Sequence, residues 1–357
     1  MKIIVDNQEL KNILHKYIKL IYAKGVDDEQ KSLYIKTLKN AAEFKICDPI
    51  NHIEMSTILE AQIIEEGECL IPNSLLKVME GVESHKIRIS NNEIFYGHNS
   101  INYSSLKYEF VFLAELNYSE LLRVPENELY RLIKNVSYCT AKDEIRPILT
   151  GVNITKNKFT ALDGYRLSIS NSDKFNINES ITLPLSLINL LLKILNKKSN
   201  DEVTFMIDDK GTYLKLKVED ILITLRLLEG NYIRYESLIP EDYLYEIKVD
   251  AERLLKKLKT LFSLKKSSKE ICKLIIQEDR LCVENNNSAS NIKDHIDIDL
   301  ISHNELPFEI AFNPLYLRDI LKNYNDDIII KFNSAIGPIV VDQDNNIDLM
   351  LPVILRK

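Results

Sequence analysis

The sequence is poor in the residues that build most active sites. Only nine of its 357 residues are glycine, and it contains neither a glycine-rich phosphate-binding loop nor a G-x-S-x-G motif. The six histidines form no HxxxH or HExxH spacing. The five cysteines are scattered, odd in number and without a CxxC pair. We therefore predict no catalytic residues, no metal site and no cofactor, and we expect the cysteines to be reduced core residues.

Long apolar runs are also missing. No run approaches the roughly 18 to 20 residues that a membrane-spanning helix needs. The first stretch, "MKIIVDNQELKNIL", carries charges where a signal peptide needs an uninterrupted apolar core. An apolar content of 45% and a charged content of 28% are typical of a soluble globular protein. We therefore expect a cytoplasmic protein of two or three domains.

A helical pattern recurs three times along the chain. Each copy has a valine, then Asp or Pro as a helix-entry signal, then acidic residues in the first turn. An apolar residue follows five and nine positions after the valine, which is helical spacing. The copies are "VDNQELKNILHKYIKLI" from Val5, "VPENELYRLIKNVSYC" from Val124 and "VDAERLLKKLKTLFSL" from Val249. The paired apolar positions are Leu10 and Leu14, Leu129 and Ile133, and Leu254 and Leu258.

A second kind of helix is predicted between these copies. "IPNSLLKVM", "LPLSLINLLLKIL" and "FNPLYLRDIL" start at Pro72, Pro184 and Asn313, with bulky apolar residues three, four and seven positions later. The six helix starts are separated by 52 to 67 residues. The chain is therefore predicted to contain six units, or three domains of two units each, over residues 1–121, 122–243 and 244–357.

Strand-like alternation fills the segments between the helices. It is clearest in "HKIRISNNEIFYG", "DEVTFMIDDKGTYLKLKV" and "KLIIQEDRLCVE", where a polar turn joins two alternating runs. Helices followed by antiparallel hairpins are not the strand and helix alternation of a parallel sheet. The predicted fold class is α+β, repeated three times.

The charge is distributed unevenly along the chain. The formal net charge is −7, which by itself argues against a nucleic-acid partner. The six helical segments, however, hold 20 Lys and Arg against 10 Asp and Glu, whereas the rest of the chain holds 26 against 43. If the helices share one face, that face is basic and attracts a duplex, while the acidic remainder repels it. The alternative is that these lysines only solvate the helices.

Five stretches carry a resemblance to a known family. They are "RPILTGVNI" at 146, "FTALDGYRLSIS" at 159, "EGNYIRYESLIP" at 229, "FNPLYLRDIL" at 312 and the terminal "LMLPVILRK". Their order and approximate spacing resemble the bacterial β sliding clamps, the processivity subunits of DNA polymerase III. The resemblance covers essentially the whole chain and is strongest from residue 124 onward. We identify the chain as a divergent member of that family.

The resemblance implies a processivity fold and a ring. Three similar domains, each with two inner helices and outer antiparallel sheets, would form a head-to-tail homodimer around duplex DNA. The ring would hold the replicative polymerase on DNA without a chemical step. The candidates for DNA contact are Lys24, Arg131, Lys134, Lys197, Lys198, Lys256 and Lys259. The candidates for the dimer interface are Ile101, Tyr103, Phe262 and Leu264.

The resemblance also implies a hydrophobic pocket between the second and third domains. Linear peptides of the DNA polymerase III α subunit, the clamp loader and repair proteins would dock there. Apolar anchors would fill the groove, and Arg146, Arg166 and the Asn313 amide would hold polar atoms at its rim. The matching residues are Arg146, Leu149, Leu162, Gly164, Tyr165, Arg166, Leu167, Leu238, Asn313, Tyr316, Met350, Leu351, Pro352 and Val353.

Departures from the family pattern leave the partners open. The usual Phe-Pro-Asp-Tyr is replaced by Tyr232, Ile233, Arg234 and Tyr235, and Arg356 and Lys357 extend past the usual end. The family usually has Thr before the Asp of this hairpin and His after its Gly, where this chain has Leu162 and Tyr165. A larger and more apolar wall would change which peptides bind, as in a second clamp copy with altered partners. From the residues alone, the Asp-Gly pair makes a turn wherever it occurs, and Arg166 could simply pair with Asp163.

Two rival functions follow from the same residues. In an enzyme, Asp163, Tyr165 and Arg166 would hold a substrate anion, with Glu229 or Asp250 as the base. In an interaction scaffold, the pocket would bind peptides and the basic helices would be incidental. Nucleotide turnover would favour the enzyme, whereas loss of function on reversing the helix charges would favour the clamp.

Overall fold

The computed structural model describes residues 1–21, 31–105, 113, 116–143, 145–262, 271–287 and 290–354. The α-helices within these residues are α1 (Asn7–Ile21), α2 (Leu76–Glu80), α3 (Glu126–Val136), α4 (Leu185–Ile194), α5 (Ala251–Phe262) and α6 (Pro314–Leu321).

The strands of the first half are β1 (Lys2–Asp6), β2 (Leu33–Thr37), β3 (Ala41–Asp48), β4 (Ile53–Glu65), β5 (Glu68–Ile71), β6 (Lys86–Ser90), β7 (Glu93–Tyr96), β8 (Asn99–Asn102), β9 (Tyr118–Pro125), β10 (Gly151–Lys156), β11 (Lys158–Leu162), β12 (Arg166–Asn171) and β13 (Ile177–Pro184). Those of the second half are β14 (Glu202–Asp208), β15 (Tyr213–Val218), β16 (Ile221–Arg226), β17 (Tyr245–Asp250), β18 (Cys272–Ile276), β19 (Arg280–Asn287), β20 (Ser290–Asp297), β21 (Asp299–Ser302), β22 (Phe308–Phe312), β23 (Asp327–Phe332), β24 (Ile339–Gln343) and β25 (Asn346–Met350).

The first set of predicted helices is confirmed, with one shift at the start. Each valine belongs to a strand, β1, β9 or β17, and the helix begins at the residue that follows the end of that strand. The Asp6 carboxylate accepts the backbone N–H groups of Gln8 and Glu9 at 2.8 and 3.1 Å. Asp250 accepts that of Arg253 at 2.8 Å. These aspartates are N-caps. The predicted apolar positions are all fully buried: Leu10, Leu14, Leu129, Ile133, Leu254 and Leu258.

The second set is confirmed as α2, α4 and α6. α2 follows a short 3₁₀ turn, Asn73–Leu75. α6 is capped by Asn313, whose side-chain oxygen accepts the Leu315 N–H at 3.0 Å. The residues four and seven positions after each start are buried, so the helical spacing was interpreted correctly: Leu76 and Met79, Ile188 and Leu191, and Leu317 and Ile320.

Contacts between residues divide the chain into two compact units. The first comprises Met1–Arg131 and Lys174–Glu229, and the second comprises Leu132–Asp173 and Gly230–Lys357. This grouping differs from the predicted three domains because sheet pairing runs across the predicted boundaries. Leu222 of β16 pairs with Ser56 of β4 in the first unit. The three-domain division therefore stays a prediction.

The first unit is built on one antiparallel sheet. Its strand order is β8, β7, β6, β1, β4, β16, β15, β14 and β9, and β2, β3 and β5 branch from β4. The predicted hairpins β6–β7 and β14–β15 are confirmed. A lysine is buried beside the end of α1: the Lys31 ammonium lies 3.2 Å from the Asp48 carboxylate, and the side chains are 1% and 0% exposed. The same ammonium donates to the carbonyls of Leu20 and Ile21 at 3.4 and 3.3 Å, so it also satisfies the helix C-terminus.

The second unit contains two sheets. One runs β10, β11, β12, β25, β24, β23, β17 and β21, and the other runs β20, β19, β18 and β22. The hairpins predicted at β11–β12 and β18–β19 are confirmed. All pairings in both runs are antiparallel. The α+β class is therefore confirmed.

The predicted burial of the cysteines is confirmed. All five are buried: Cys47, Cys69, Cys139, Cys272 and Cys282. Burial raises the pKa of the Cys47 and Cys69 thiols to about 12. Within the described ranges, no group of three or more His, Cys, Asp or Glu side chains is arranged to hold a metal ion.

Candidate functional site

The predicted pocket residues lie in the second unit, around the turn between β11 and β12. Leu162 and Leu167 pair across the hairpin, and residues 163–165 form the turn. The Asp163 carboxylate accepts the N–H groups of Tyr165 and Arg166 at 3.0 and 2.9 Å, which fixes the turn. Gly164 has a φ of +86°, the left-handed region that glycine adopts without strain. The motif "LDGYRL" is therefore a rigid turn with one side chain, Tyr165, projecting 61% exposed.

Arg166 lies behind this turn and is only 7% exposed. Its Nε and Nη2 donate to Asp163 at 3.0 and 2.8 Å, and its Nη1 donates to Asp319 at 3.3 Å. Nη2 also donates to the Tyr138 carbonyl at 3.2 Å. We expected this arginine at the rim, but the structure places it inside the wall. The pairing with Asp163 that the sequence left open is present, and the guanidinium joins three separate chain segments.

Two tyrosines form the accessible face of the site. The rings of Tyr165 and Tyr316 are stacked, with centroids 6.3 Å apart. The Arg166 guanidinium lies 4.5 Å from the centroid of the Tyr316 ring, within cation–π range. The Leu351 N–H donates to the Tyr165 carbonyl at 2.9 Å, so the C-terminal segment continues alongside the turn. Predicted residues from three distant parts of the sequence are thus brought into contact.

The floor of the site is apolar and buried. Leu149, Leu162 and Leu167 belong to one hydrophobic cluster and are at most 4% exposed. Met350, fully buried, belongs to a second cluster, against which Tyr316 packs. Leu162 therefore forms floor rather than open wall. Of the two departures in this hairpin, Leu162 is buried, whereas the side chain of Tyr165 is exposed.

The rim combines exposed apolar and polar residues. Leu238 and Leu351 are 48% and 43% exposed. Pro352 and Val353 are half-buried, and the Val353 N–H donates to the Ala311 carbonyl at 2.8 Å. The Arg146 side chain is exposed, as expected of a rim residue. The Asn313 side-chain oxygen, expected at the rim, instead caps α6.

Sequence reasoning missed the residues behind the pocket. Asp319 lies one helical turn after Tyr316, so its three-residue spacing from a predicted pocket residue was an available signal. Tyr138 follows α3 in the 3₁₀ turn Ser137–Cys139 and carried no signal. Asp348 on β25 was missed as well, although it is paired with Ser168 two residues beyond Arg166.

Asp348 is 1% exposed and accepts three hydroxyl hydrogen bonds. The Ser168 and Tyr138 hydroxyls donate to its Oδ1 at 2.5 and 2.6 Å, and the Tyr324 hydroxyl donates to its Oδ2 at 2.6 Å. Burial raises the pKa of Asp348 to about 6, and the three hydroxyl donors oppose that rise. The carboxylate is therefore ionised mainly at neutral pH and above.

The candidates for DNA contact lie mainly on or beside helices. Lys134 on α3 and Lys256 and Lys259 on α5 are exposed. Lys197 and Lys198 follow α4 and are exposed too, and the Lys197 ammonium lies 4.9 Å from the ring centroid of Tyr130. Arg131 is partly buried and its guanidinium pairs with the Glu128 carboxylate at 2.7 Å. This carboxylate partly neutralises the guanidinium and so weakens its attraction for a phosphate. Lys24 lies outside the described residues.

The interface candidates are placed in part. Ile101 lies on β8, which forms the end of the sheet order in the first unit. The Tyr103 hydroxyl donates to the Ser90 carbonyl at 2.5 Å, so this side chain is anchored within its own sheet. Phe262 is the last residue of α5. Leu264 lies outside the described residues.

Comparison with known proteins decides the family. Residues 123–233 match the sequence model of the DNA polymerase III beta subunit, central domain, and residues 236–355 match that of its C-terminal domain. Together the two matches cover well over half of the chain. The chain belongs to the DNA polymerase III beta subunit family. Its function is that of a DNA sliding clamp, and the family is non-catalytic.

Individual relatives agree with this membership. The beta sliding clamp of Synechococcus elongatus is 27% identical over 264 residues, covering 70% of this chain and 69% of the relative. The solved sliding clamp of Bacillus subtilis superposes with a TM-score of 0.89 at 22% identity and covers 100% of both chains. The Bartonella birtlesii sliding clamp, solved bound to griselimycin, has a TM-score of 0.89 at 18% identity, covering 99% of this chain and 100% of that one.

Family membership carries general properties with it. Encirclement of DNA, dimerisation and binding of clamp-interacting proteins are implied for a member of this family. Across the part of the chain that the structure describes, no helix has both the length and the apolar character needed to cross a membrane.

Proposed function

We propose that two copies of the chain close head to tail into a ring around duplex DNA in the bacterial cytoplasm. The ring holds the DNA polymerase III α subunit, the clamp loader and repair proteins through short linear peptides. A closed ring cannot leave a circular duplex without opening, so weak and sequence-independent contacts suffice. The tethered polymerase then stays at high effective concentration near the primer end.

The site around Tyr165 is the proposed peptide pocket. The observation that carries this assignment is the contact between Tyr165, Tyr316 and Leu351, which come from three distant stretches of the chain. A buried leucine floor with exposed apolar and polar rim residues suits a short peptide with apolar anchors. Tyr165 is the proposed source of altered partner choice, because it departs from the family pattern and is exposed.

Peptide binding is tested by fluorescence anisotropy. The probe is a fluorescein-labelled peptide that carries the clamp-binding motif of a DNA polymerase III α subunit. We expect saturable binding that unlabelled griselimycin reverses, because we propose that both ligands use this pocket. Anisotropy that does not change at micromolar protein would contradict the pocket assignment.

The exposed helix lysines are the proposed DNA contacts. We expect the joint substitution of Lys197, Lys198, Lys256 and Lys259 by glutamate to lower retention on loaded circular DNA by about tenfold or more, because each lost phosphate contact weakens a salt-dependent attraction. Retention is measured by gel filtration of labelled protein after loading.

The matched control carries four charge reversals at exposed lysines outside the helices, Lys36, Lys39, Lys86 and Lys210. The control keeps wild-type retention, and both variants keep wild-type peptide affinity. An equal loss of DNA retention in both variants would assign the effect to total charge rather than to these helices. It would contradict the proposed DNA surface.

Ring formation is the remaining part of the proposal. The proposed contact joins Ile101 of the edge strand β8, and Tyr103 just after it, to Phe262 at the end of α5 and to Leu264 of another copy. A solution mass of twice 41.4 kDa is expected. The substitution Ile101→Asp should shift this mass towards that of one chain, since the new carboxylate would be buried without a partner in the proposed interface.

A further inference from the structure

Asp348 is a buried carboxylate whose hydrogen bonds come from neutral hydroxyl groups. Its donors are the hydroxyls of Ser168, Tyr138 and Tyr324, at 2.5 to 2.6 Å. Burial of a carboxylate without a cationic partner is unfavourable, and a well-packed apolar residue of similar volume would usually serve stability as well or better. The position of Asp348 therefore calls for a role other than stabilising the unit.

The three donors belong to the segments that carry the pocket wall. Ser168 lies in β12, two residues after Arg166, and faces Asp348 across the strand pair. Tyr324 follows α6, the helix that carries Tyr316. Asp348 thus connects β12, β25, the turn after α3 and the end of α6 from beneath the pocket.

Tyr138 is the donor that leads directly to the pocket. Its hydroxyl donates to Asp348 at 2.6 Å, while its carbonyl accepts from Arg166 Nη2 at 3.2 Å. Its ring lies 5.5 Å from the Arg166 guanidinium. The other guanidinium contacts of Arg166 hold Asp163, which forms the turn beneath Tyr165. A continuous chain of contacts therefore runs from Asp348 to the exposed tyrosine.

We propose that Asp348 is a positioning residue of the peptide pocket, acting through Tyr138 and Arg166 on the turn at residues 163–165. This inference rests on the proposed peptide-binding function of that pocket. Asp348 touches no ligand itself. It fixes the tyrosine ring whose backbone carbonyl orients the guanidinium, and the guanidinium holds the turn in its binding geometry.

A matched pair of variants tests this path. Tyr138→Phe and Tyr324→Phe each remove one 2.6 Å hydroxyl bond to the same carboxylate, and each keeps the aromatic ring. Of these two tyrosines, Tyr138 is the one that contacts Arg166 within the described residues. We expect Tyr138→Phe to weaken binding of the labelled clamp-motif peptide by roughly fivefold, the effect of one hydrogen bond. Tyr324→Phe should leave the peptide Kd within about twofold of wild type.

Thermal denaturation measures how far each variant loses stability overall. Both variants should lower the Tm by similar amounts, since they lose equivalent hydrogen bonds. A purely structural role of the network predicts equal changes in peptide Kd as well. Equal weakening by the two variants, or no weakening by Tyr138→Phe, would overturn the proposal.

A double-mutant cycle tests the coupling to Asp348. With Asp348→Ala already present, we expect Tyr138→Phe to have no further effect on the peptide Kd, because its hydroxyl has lost its acceptor. Additive effects would show that Tyr138 acts independently of Asp348 and would contradict the inference. If the wild-type chain binds neither the labelled peptide nor griselimycin, the proposed pocket fails. If it binds and the cycle is additive, only the positioning role fails.

Discussion

Replacing Asp48 by alanine is expected to lower the free energy of unfolding by about 3 to 5 kcal/mol, because it removes the buried carboxylate that faces the buried Lys31 ammonium. The two side chains are 0% and 1% exposed and lie 3.2 Å apart. Asp48 also accepts the N–H and side-chain amide of Asn51 at 3.2 and 2.8 Å. The loss is measured by urea unfolding, followed by far-UV circular dichroism.

A more exposed ion pair of the same unit supplies the control. Lys16 and Glu219 lie 2.5 Å apart, but their side chains are 17% and 48% exposed. Solvent screens such a pair, so Lys16→Ala should cost less than about 1 kcal/mol. If the two substitutions destabilise the protein equally, burial is not what makes the Lys31–Asp48 pair important.

Replacing Arg166 by alanine is expected to weaken binding of the clamp-motif peptide by about a hundredfold. The substitution removes every guanidinium bond to Asp163, Asp319 and the Tyr138 carbonyl. It leaves the Asp163 and Asp319 carboxylates, 14% and 23% exposed, without that partner. The few hot-spot residues of an interface, among which arginine is enriched, cost about 2 kcal/mol or more when truncated, and we expect Arg166 to be one because it holds the turn that carries Tyr165. Anisotropy with the labelled peptide measures the change in Kd.

Two further variants distinguish the bridging geometry of the Arg166 guanidinium from its positive charge, and its buried role from that of an exposed arginine. Arg166→Lys keeps the positive charge but cannot bridge two carboxylates and a carbonyl with one planar group, so we expect most of the loss to remain. Arg146→Ala removes an exposed arginine of the rim and should cost no more than about tenfold, as a direct polar contact does. Wild-type affinity in Arg166→Lys would show that charge alone accounts for the role of this residue.

Local sequence signals predicted the elements well. Helical spacing identified the buried leucines of α1, α3 and α5. One face of each helix packs against the core, and the geometry of the helix fixes the spacing of the residues on that face. The turn of β11–β12 was predicted from the Asp-Gly pair itself, because these two residues favour a tight turn between strands. The starts of the first helix set were shifted, because a strand runs into each helix without a loop.

The inner structure of the pocket could not be predicted in this way. Arg166 contacts Asp319, 153 positions away, and Tyr138, 28 positions away. Asp348 accepts hydrogen bonds from the hydroxyls of Ser168, 180 positions away, and Tyr138, 210 positions away. No periodicity links such residues, since sheet pairing and helix packing bring them together. The family resemblance indicated which stretches meet, but it did not reveal which side chains are buried between them.

The most direct test of the clamp mechanism is release from DNA on cutting. Labelled protein is loaded with clamp loader and ATP onto a nicked circular duplex, isolated by gel filtration, and treated with an enzyme that cuts the circle once. Topological linkage predicts that the protein stays on the intact circle and leaves the linear product, because a ring slides off an open end. Retention that is unchanged after cutting would show binding by affinity alone and would contradict the account.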